Sequence, residues 1–142
     1  MEKELYSTTM VSNGGREGRV FSLDNTFVHN LATPKELGGK ESLDTNPEQL
    51  FAAGYSACFN SALSLILNRS GVKDANPEVE VTVNLLKDEV DNGFKLGINI
   101  KVTLENLSDK EADVFVEKAH QFCPYSKATK NNIETNIEVI TQ

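Results

Sequence analysis

The segment around residues 47–70 limits the architecture of this chain more than any other. It has a strong helix start: Asn46 can cap, Pro47 suits the first helical position, and Gln49 stands where a capping-box partner would. Leu50, Ala53, Ala57, Leu63 and Leu67 recur at short spacings, and apolar residues lie on nearly every side. A helix of this kind has little face to offer to water, so it is expected at the centre of the molecule. The pattern predicts a helix from Pro47 to about Ser70, stopping before Gly71.

The other elements follow from shorter periodicities. Leu5 to Val11, Arg19 to Leu23 and Thr26 to Leu31 read as strands, with Asn13-Gly14-Gly15 and Asp24-Asn25 as turns. Thr33 to Asp44, with Pro34 and Gly38-Gly39, reads as a long loop. Val79 to Leu85 and Phe94 to Leu104 alternate as a hairpin turning at Asp91-Asn92-Gly93. Ser108, with Glu111 as its capping-box partner, opens a second helix to about Gln121. Pro124 interrupts it, a short helical turn follows to Lys130, and Ile133 to Val139 closes as a strand. Strands grouped before and after a long helix favour an α+β fold, expected as one domain over residues 1–142.

Composition excludes some partners. The 142 residues carry a formal charge of −7, which argues against nucleic acid and against an anionic membrane surface. The first residues lack the apolar stretch of a signal peptide, and no apolar run is expected to approach the ~20 residues of a membrane span. A cytoplasmic protein is expected. There the two cysteines, Cys58 and Cys123, are kept reduced, and a bond between them would be transient rather than structural.

Cys58 lies on the long helix with Gly54, Tyr55, Ser61 and Ala62 as same-face neighbours, mostly small residues that leave space beside the sulfur. On spacing alone, a packed structural thiol is the commoner outcome. Cys123 ends the second helix in Cys123-Pro124-Tyr125-Ser126, where the same plain reading holds. Arg16 lies among glycines in Gly14-Gly15-Arg16-Glu17-Gly18-Arg19, either as a solvated turn residue or as a cation brought close to another surface. Glu48 falls in the first turn of the long helix, where the helix dipole alone favours a carboxylate. His29 and His120, with the two cysteines, match no zinc spacing, and no metal or cofactor is expected.

Taken together, the segments Thr45 to Phe59, Gly14 to Arg19, Pro34 to Gly39 and Cys123 to Ser126 resemble the organic hydroperoxide resistance proteins, a branch of the OsmC superfamily. The resemblance covers essentially the whole chain. It implies an intertwined homodimer with antiparallel sheets around a long central helix, and an active site at each end of the interface. It implies a thiol peroxidase acting on organic (alkyl and fatty-acid) hydroperoxides. Cys58 would be the peroxidatic thiol, Cys123 the resolving thiol, and Arg16 with Glu48 a supporting pair. The reductant would be a dithiol such as a lipoyl group carried by a protein. Departures from the pattern are Lys40 to Asp44 in the loop, and Lys127, Lys130 and Asn131 after the second cysteine.

The chemistry sets a geometric condition. Cys58 is about ten residues into its helix, too deep for the helix dipole to ionise it, so a cation is needed, and Arg16 is the candidate. Glu48 and Cys58 are ten residues apart, or ~15 Å along a straight helix. Either the helix breaks near Gly54, or Glu48 serves the Cys58 of a partner chain; the second is expected. Phe21, Phe51, Phe59 and Phe122 are candidates for an apolar entrance, with plain core packing equally open for each. The alternatives are an OsmC-type peroxidase of broader substrate range and a non-enzymatic dimeric ligand-binding protein.

Overall fold

The computed structural model describes residues 2–142, and its contacts gather into two units, Met1–Leu50 and Phe51–Gln142. In the first, β1 (Met10–Asn13), β2 (Arg19–Ser22) and β3 (Val28–Asn30) form an antiparallel sheet in that order. Between β1 and β2 the glycine-rich segment makes one 3₁₀ turn over Gly15–Glu17. Only glycine fits at position 18, where an added Cβ would stand 1.7 Å from the Asn13 carbonyl oxygen. At the β2–β3 turn the Asp24 carboxylate accepts from the Ser22 and Thr26 hydroxyls, each at 2.7 Å, and from the Thr26 N–H at 3.1 Å. These donors, Ser22 first, pull the Asp24 carboxyl down to about 2.

The strand expected from Leu5 begins only at Met10. Residues 2–9 pair with no strand among the described residues, and Leu5 is 88% exposed. Local β propensity marks a segment able to pair, but pairing itself needs a free edge.

Helix α1 (Pro47–Arg69) starts at the end of the first unit and continues through the second. Asn46 Oδ1 accepts from the Gln49 N–H at 2.8 Å, and Gln49 Oε1 accepts from the Asn46 N–H at 3.2 Å, the reciprocal cap that the sequence predicts. Gly71, at φ +78°, follows its last turn. The helix passes Gly54 without a break.

The second unit holds β4 (Glu78–Asp88), β5 (Gly93–Leu104), α2 (Asp109–Phe122), α3 (Pro124–Thr129) and β6 (Glu134–Thr141). The sheet order is β4-β5-β6. Tyr55, Phe59, Leu63 and Leu67 of α1, Ile98, Ile100, Val102 and Leu104 of β5, and Ala112, Val116 and Ala119 of α2 make one core. Alternation therefore places one sheet face under the helices, while Glu80, Thr82, Asn99 and Lys101 keep the other face polar.

Two expectations are corrected here. The sheets were expected to be antiparallel throughout, but β6 runs parallel to β5, with Gly97 opposite Glu134 and Leu104 opposite Thr141. The connection from β5 to β6 passes through α2 and α3, and a crossover of that length returns the chain in the same direction. The apolar run expected to be too short for a membrane span is in fact long enough by length and composition. Ser56, Asn60, Ser61 and Ser64 interrupt it without adding charge. In this chain α1 is a core helix with one buried face; Ala53, Ala57, Ser61 and Leu65 are exposed on the other.

The start of α2 is a complete capping box: Ser108 Oγ accepts from the Glu111 N–H, and the Glu111 carboxylate accepts from the Ser108 N–H. Ser108→Ala is expected to lower stability by about 1 kcal/mol, read as a lower midpoint at unchanged slope in denaturant unfolding.

Candidate functional site

Four sequence candidates form two pairs, one in each unit. In the first, the 3₁₀ turn presents Arg16 and the first turn of α1 presents Glu48. The contact is bidentate: Nη1 donates to Oε2 at 2.8 Å and Nη2 to Oε1 at 2.6 Å. The Arg16 side chain is 36% exposed and that of Glu48 19%. The fork-to-fork hydrogen bonds hold the Glu48 carboxyl below its usual range against a smaller opposing effect of burial, and the same bonds raise Arg16. The arrangement fixes the plane and direction of a permanently charged guanidinium.

In the second unit, Cys58 on α1 and Cys123 face each other with sulfurs 3.7 Å apart. Cys123 is the single residue between α2 and α3, with extended backbone at φ −61° and ψ 124°. Pro124 produces this joint, since it suits the first position of α3 and cannot continue α2. The two thiols differ in access: Cys58 is half-buried, whereas Cys123 is fully buried. Closing the bond means shortening 3.7 Å to the ~2.05 Å of a disulfide, a shift within reach of a side-chain rotation and a small movement at the joint.

Burial pushes the Cys58 thiol up, and the Cys123 sulfur pushes the same way; the Tyr125 backbone N–H, in the first turn of α3, pulls it down in part. None of these groups is a cation. Within its own unit the balance of these effects disfavours the Cys58 thiolate.

The four candidate phenylalanines are dispersed. Phe59 is fully buried in the core of the second unit, and Phe51 packs against that core. Phe122 is half-exposed near Lys127, with the ammonium 6.0 Å from the ring centroid. Phe21 lies in the first unit under the Arg19 guanidinium at 4.5 Å.

The sequence reading did not identify a buried hydroxyl network beside the thiols. Tyr55 Oη lies 2.7 Å from Ser126 Oγ, which lies 2.9 Å from His120 Nδ1. Thr129 Oγ1 donates to the Ser126 carbonyl at 3.2 Å. The Tyr125 ring also lies against Gly54, where an added Cβ would meet its Oη at 3.2 Å. Ser126 was visible only as the end of the Cys-Pro-Tyr-Ser motif, and His120 only as a zinc candidate. The available signal was the spacing of three residues that separates Tyr55 from Cys58, and His120 and Ser126 from Cys123.

A family model described as OsmC-like protein matches residues 38–138. The organic hydroperoxide resistance protein-like 2 of Staphylococcus epidermidis is 70% identical over 142 residues, covering the whole of both chains. The organic hydroperoxide resistance protein OhrA of Bacillus subtilis is 47% identical over 140 residues, covering 98% of this chain and 99% of that one. Among solved structures, an organic hydroperoxide resistance protein from Elizabethkingia anophelis superposes with a TM-score of 0.93 at 39% identity, covering 99% of this chain and 100% of the other. The chain belongs to the OsmC/Ohr family and has its α+β fold.

Proposed function

We propose that the protein is a thiol peroxidase that reduces organic hydroperoxides to alcohols and so serves in resistance to oxidative stress. The observation that carries this reading is the thiol pair: two sulfurs at 3.7 Å, one accessible and one buried. Its relatives named for organic hydroperoxide resistance support the substrate class.

The paired sulfurs support the following cycle. The Cys58 thiolate attacks a peroxide oxygen, the O–O bond breaks, and the alkoxide leaves and takes a proton to become an alcohol. Cys58 is thereby oxidised by two electrons to a sulfenic acid. The Cys123 sulfur, shielded from the peroxide by burial, attacks the sulfenic sulfur. An S–S bond forms, the S–O bond breaks, and the hydroxyl departs with the Cys123 proton as water. A dithiol, of which a protein-bound lipoyl group is the favoured one, then reopens the bond by exchange and leaves as its own disulfide. Such a cycle needs a compartment that keeps thiols reduced, which points to the cytoplasm.

The cation is proposed to come from a second chain. The unbroken α1 separates Glu48 from Cys58 by ten residues, or ~15 Å along its axis. Arg16, oriented by Glu48, would then stabilise the partner's Cys58 as thiolate and the alkoxide as it leaves. A homodimer also accounts for the apolar surface left open in one chain, including the small-residue side of α1 and the hairpin tip, where Val90 is 94% and Phe94 70% exposed.

The test is to add cumene hydroperoxide to the fully reduced protein and follow its intact mass. Loss of two hydrogens per chain within seconds, with Cys58 and Cys123 in one linked peptide, is expected. A pair that stays reduced would leave two packed thiols and a binding protein instead.

A further inference from the structure

The buried hydroxyl network lies between the elements that carry the two sulfurs. Ser126 is one of the few polar residues buried in this chain, and it bonds to both Tyr55 and His120. Burying hydroxyls in an apolar core adds nothing to packing that a methyl group would not, and each must be hydrogen-bonded to be tolerated. The spacing gives the network a purpose. His120 lies three residues before Cys123 and Ser126 three after it, so their 2.9 Å bond ties α2 to α3 across the one-residue joint that carries the sulfur. Tyr55 lies three residues before Cys58, so its 2.7 Å bond ties the same joint to the helix that carries the other sulfur.

The two bonds can be satisfied in a single direction. In that arrangement the Tyr55 hydroxyl would donate to Ser126 Oγ and the Ser126 hydroxyl to His120 Nδ1. Thr129 donates to the Ser126 carbonyl and completes the first turn of the clasp.

We propose that Ser126, clasped between Tyr55 and His120, is a positioning residue that holds Cys123 within striking distance of Cys58 and so sets the rate of disulfide closure without affecting attack on the peroxide. The inference rests on the thiol-peroxidase reading above. None of the three side chains is hydrogen-bonded to Cys58. The clasp acts through the position of Cys123, and a reaction that needs sulfur to approach sulfur in line is sensitive to shifts of under an ångström.

The experiment is a single turnover of the full-length protein with cumene hydroperoxide. Two rates are resolved: Cys58 sulfenic acid formation, by chemical trapping and mass, and disulfide closure, by loss of two hydrogens. Tyr55→Phe, which removes the Tyr55–Ser126 hydrogen bond, is expected to slow closure about tenfold, and Ser126→Ala, which removes the bonds to both Tyr55 and His120, by at least as much. Sulfenic acid formation should stay within about twofold, and sulfinic acid should accumulate because the sulfenate lives longer. His120→Asn, which keeps an amide near the position of Nδ1, should close faster than His120→Ala. A ratio of the two rates does not depend on how much protein is folded, so a general loss of stability would leave it unchanged. Equal slowing of both steps, or closure at the wild-type rate in Tyr55→Phe, overturns the inference while the peroxidase reading stands. If the wild-type protein forms no disulfide, both fail together.

Discussion

Cys58→Ser is expected to abolish hydroperoxide reduction, lowering the rate at least about a thousandfold, because a serine hydroxyl is not ionised by the forces available here and is a poor nucleophile toward peroxide oxygen. Cys123→Ser should behave differently. It should complete one rapid turnover, then stall as sulfenic acid and drift to sulfinic acid with excess peroxide. Consumption of cumene hydroperoxide with dihydrolipoamide as reductant measures both. The asymmetry is drawn from access, since Cys58 is half-buried and Cys123 fully buried. If Cys58→Ser keeps a tenth of the activity, or if the two variants exchange behaviours, the assignment of roles is wrong. Running the same assay with hydrogen peroxide separates an enzyme suited to organic peroxides from an OsmC-type enzyme of broader range.

Arg16→Ala should have the next largest effect. Burial and Cys123 already push the Cys58 thiol up within its own unit. Removing an opposite charge from beside a thiolate raises a pKa by about one to three units, so activity at neutral pH should fall ~10- to ~1000-fold. The sign is testable. A higher thiol pKa leaves less thiolate at a given pH, so the variant should regain rate as pH rises, and the acid limb of its pH–rate profile should move upward. Arg16→Lys should recover only part, because an ammonium cannot accept the two-point grip of Glu48 at 2.6 and 2.8 Å. The Glu48 carboxyl is itself held below its usual range. Its ion pair should therefore be complete at neutral pH and lost only as pH falls through that lowered value.

A mixing experiment asks whether the cation crosses between chains. Cys58→Ser and Arg16→Ala chains should each be strongly impaired alone, but in a mixed dimer the intact Arg16 of one would face the intact Cys58 of the other. Statistical assortment makes half the dimers mixed, each with one complete site of two, so about a quarter of wild-type activity should return. No recovery after verified subunit exchange would mean that each chain supplies its own arginine.

Much of this was legible without coordinates because it depends on local rules. The caps at Asn46 and Ser108, the break at Pro124 and the alternation in β4 and β5 are set by residues three or four positions apart or by period-two patterning, and the structure has them where the spacing predicts. The two cysteines, Arg16 and Glu48 were legible as a resemblance of motifs, while their local readings stayed open between chemistry and packing.

What residues 1–142 determine by themselves is therefore the set of elements and the residue types able to do thiol chemistry. Tertiary structure alone decided the distances: the 3.7 Å between sulfurs 65 residues apart in sequence, and the bidentate grip across 32 residues between Arg16 and Glu48. It also decided the parallel register of β6, the absence of strand pairing at residues 2–9 and the Ser126 clasp. The physical reason is common to all of them. Helix caps and alternation are satisfied by neighbours along the chain, whereas the partner of a buried hydroxyl, a thiol or a strand edge is whichever group packing brings there.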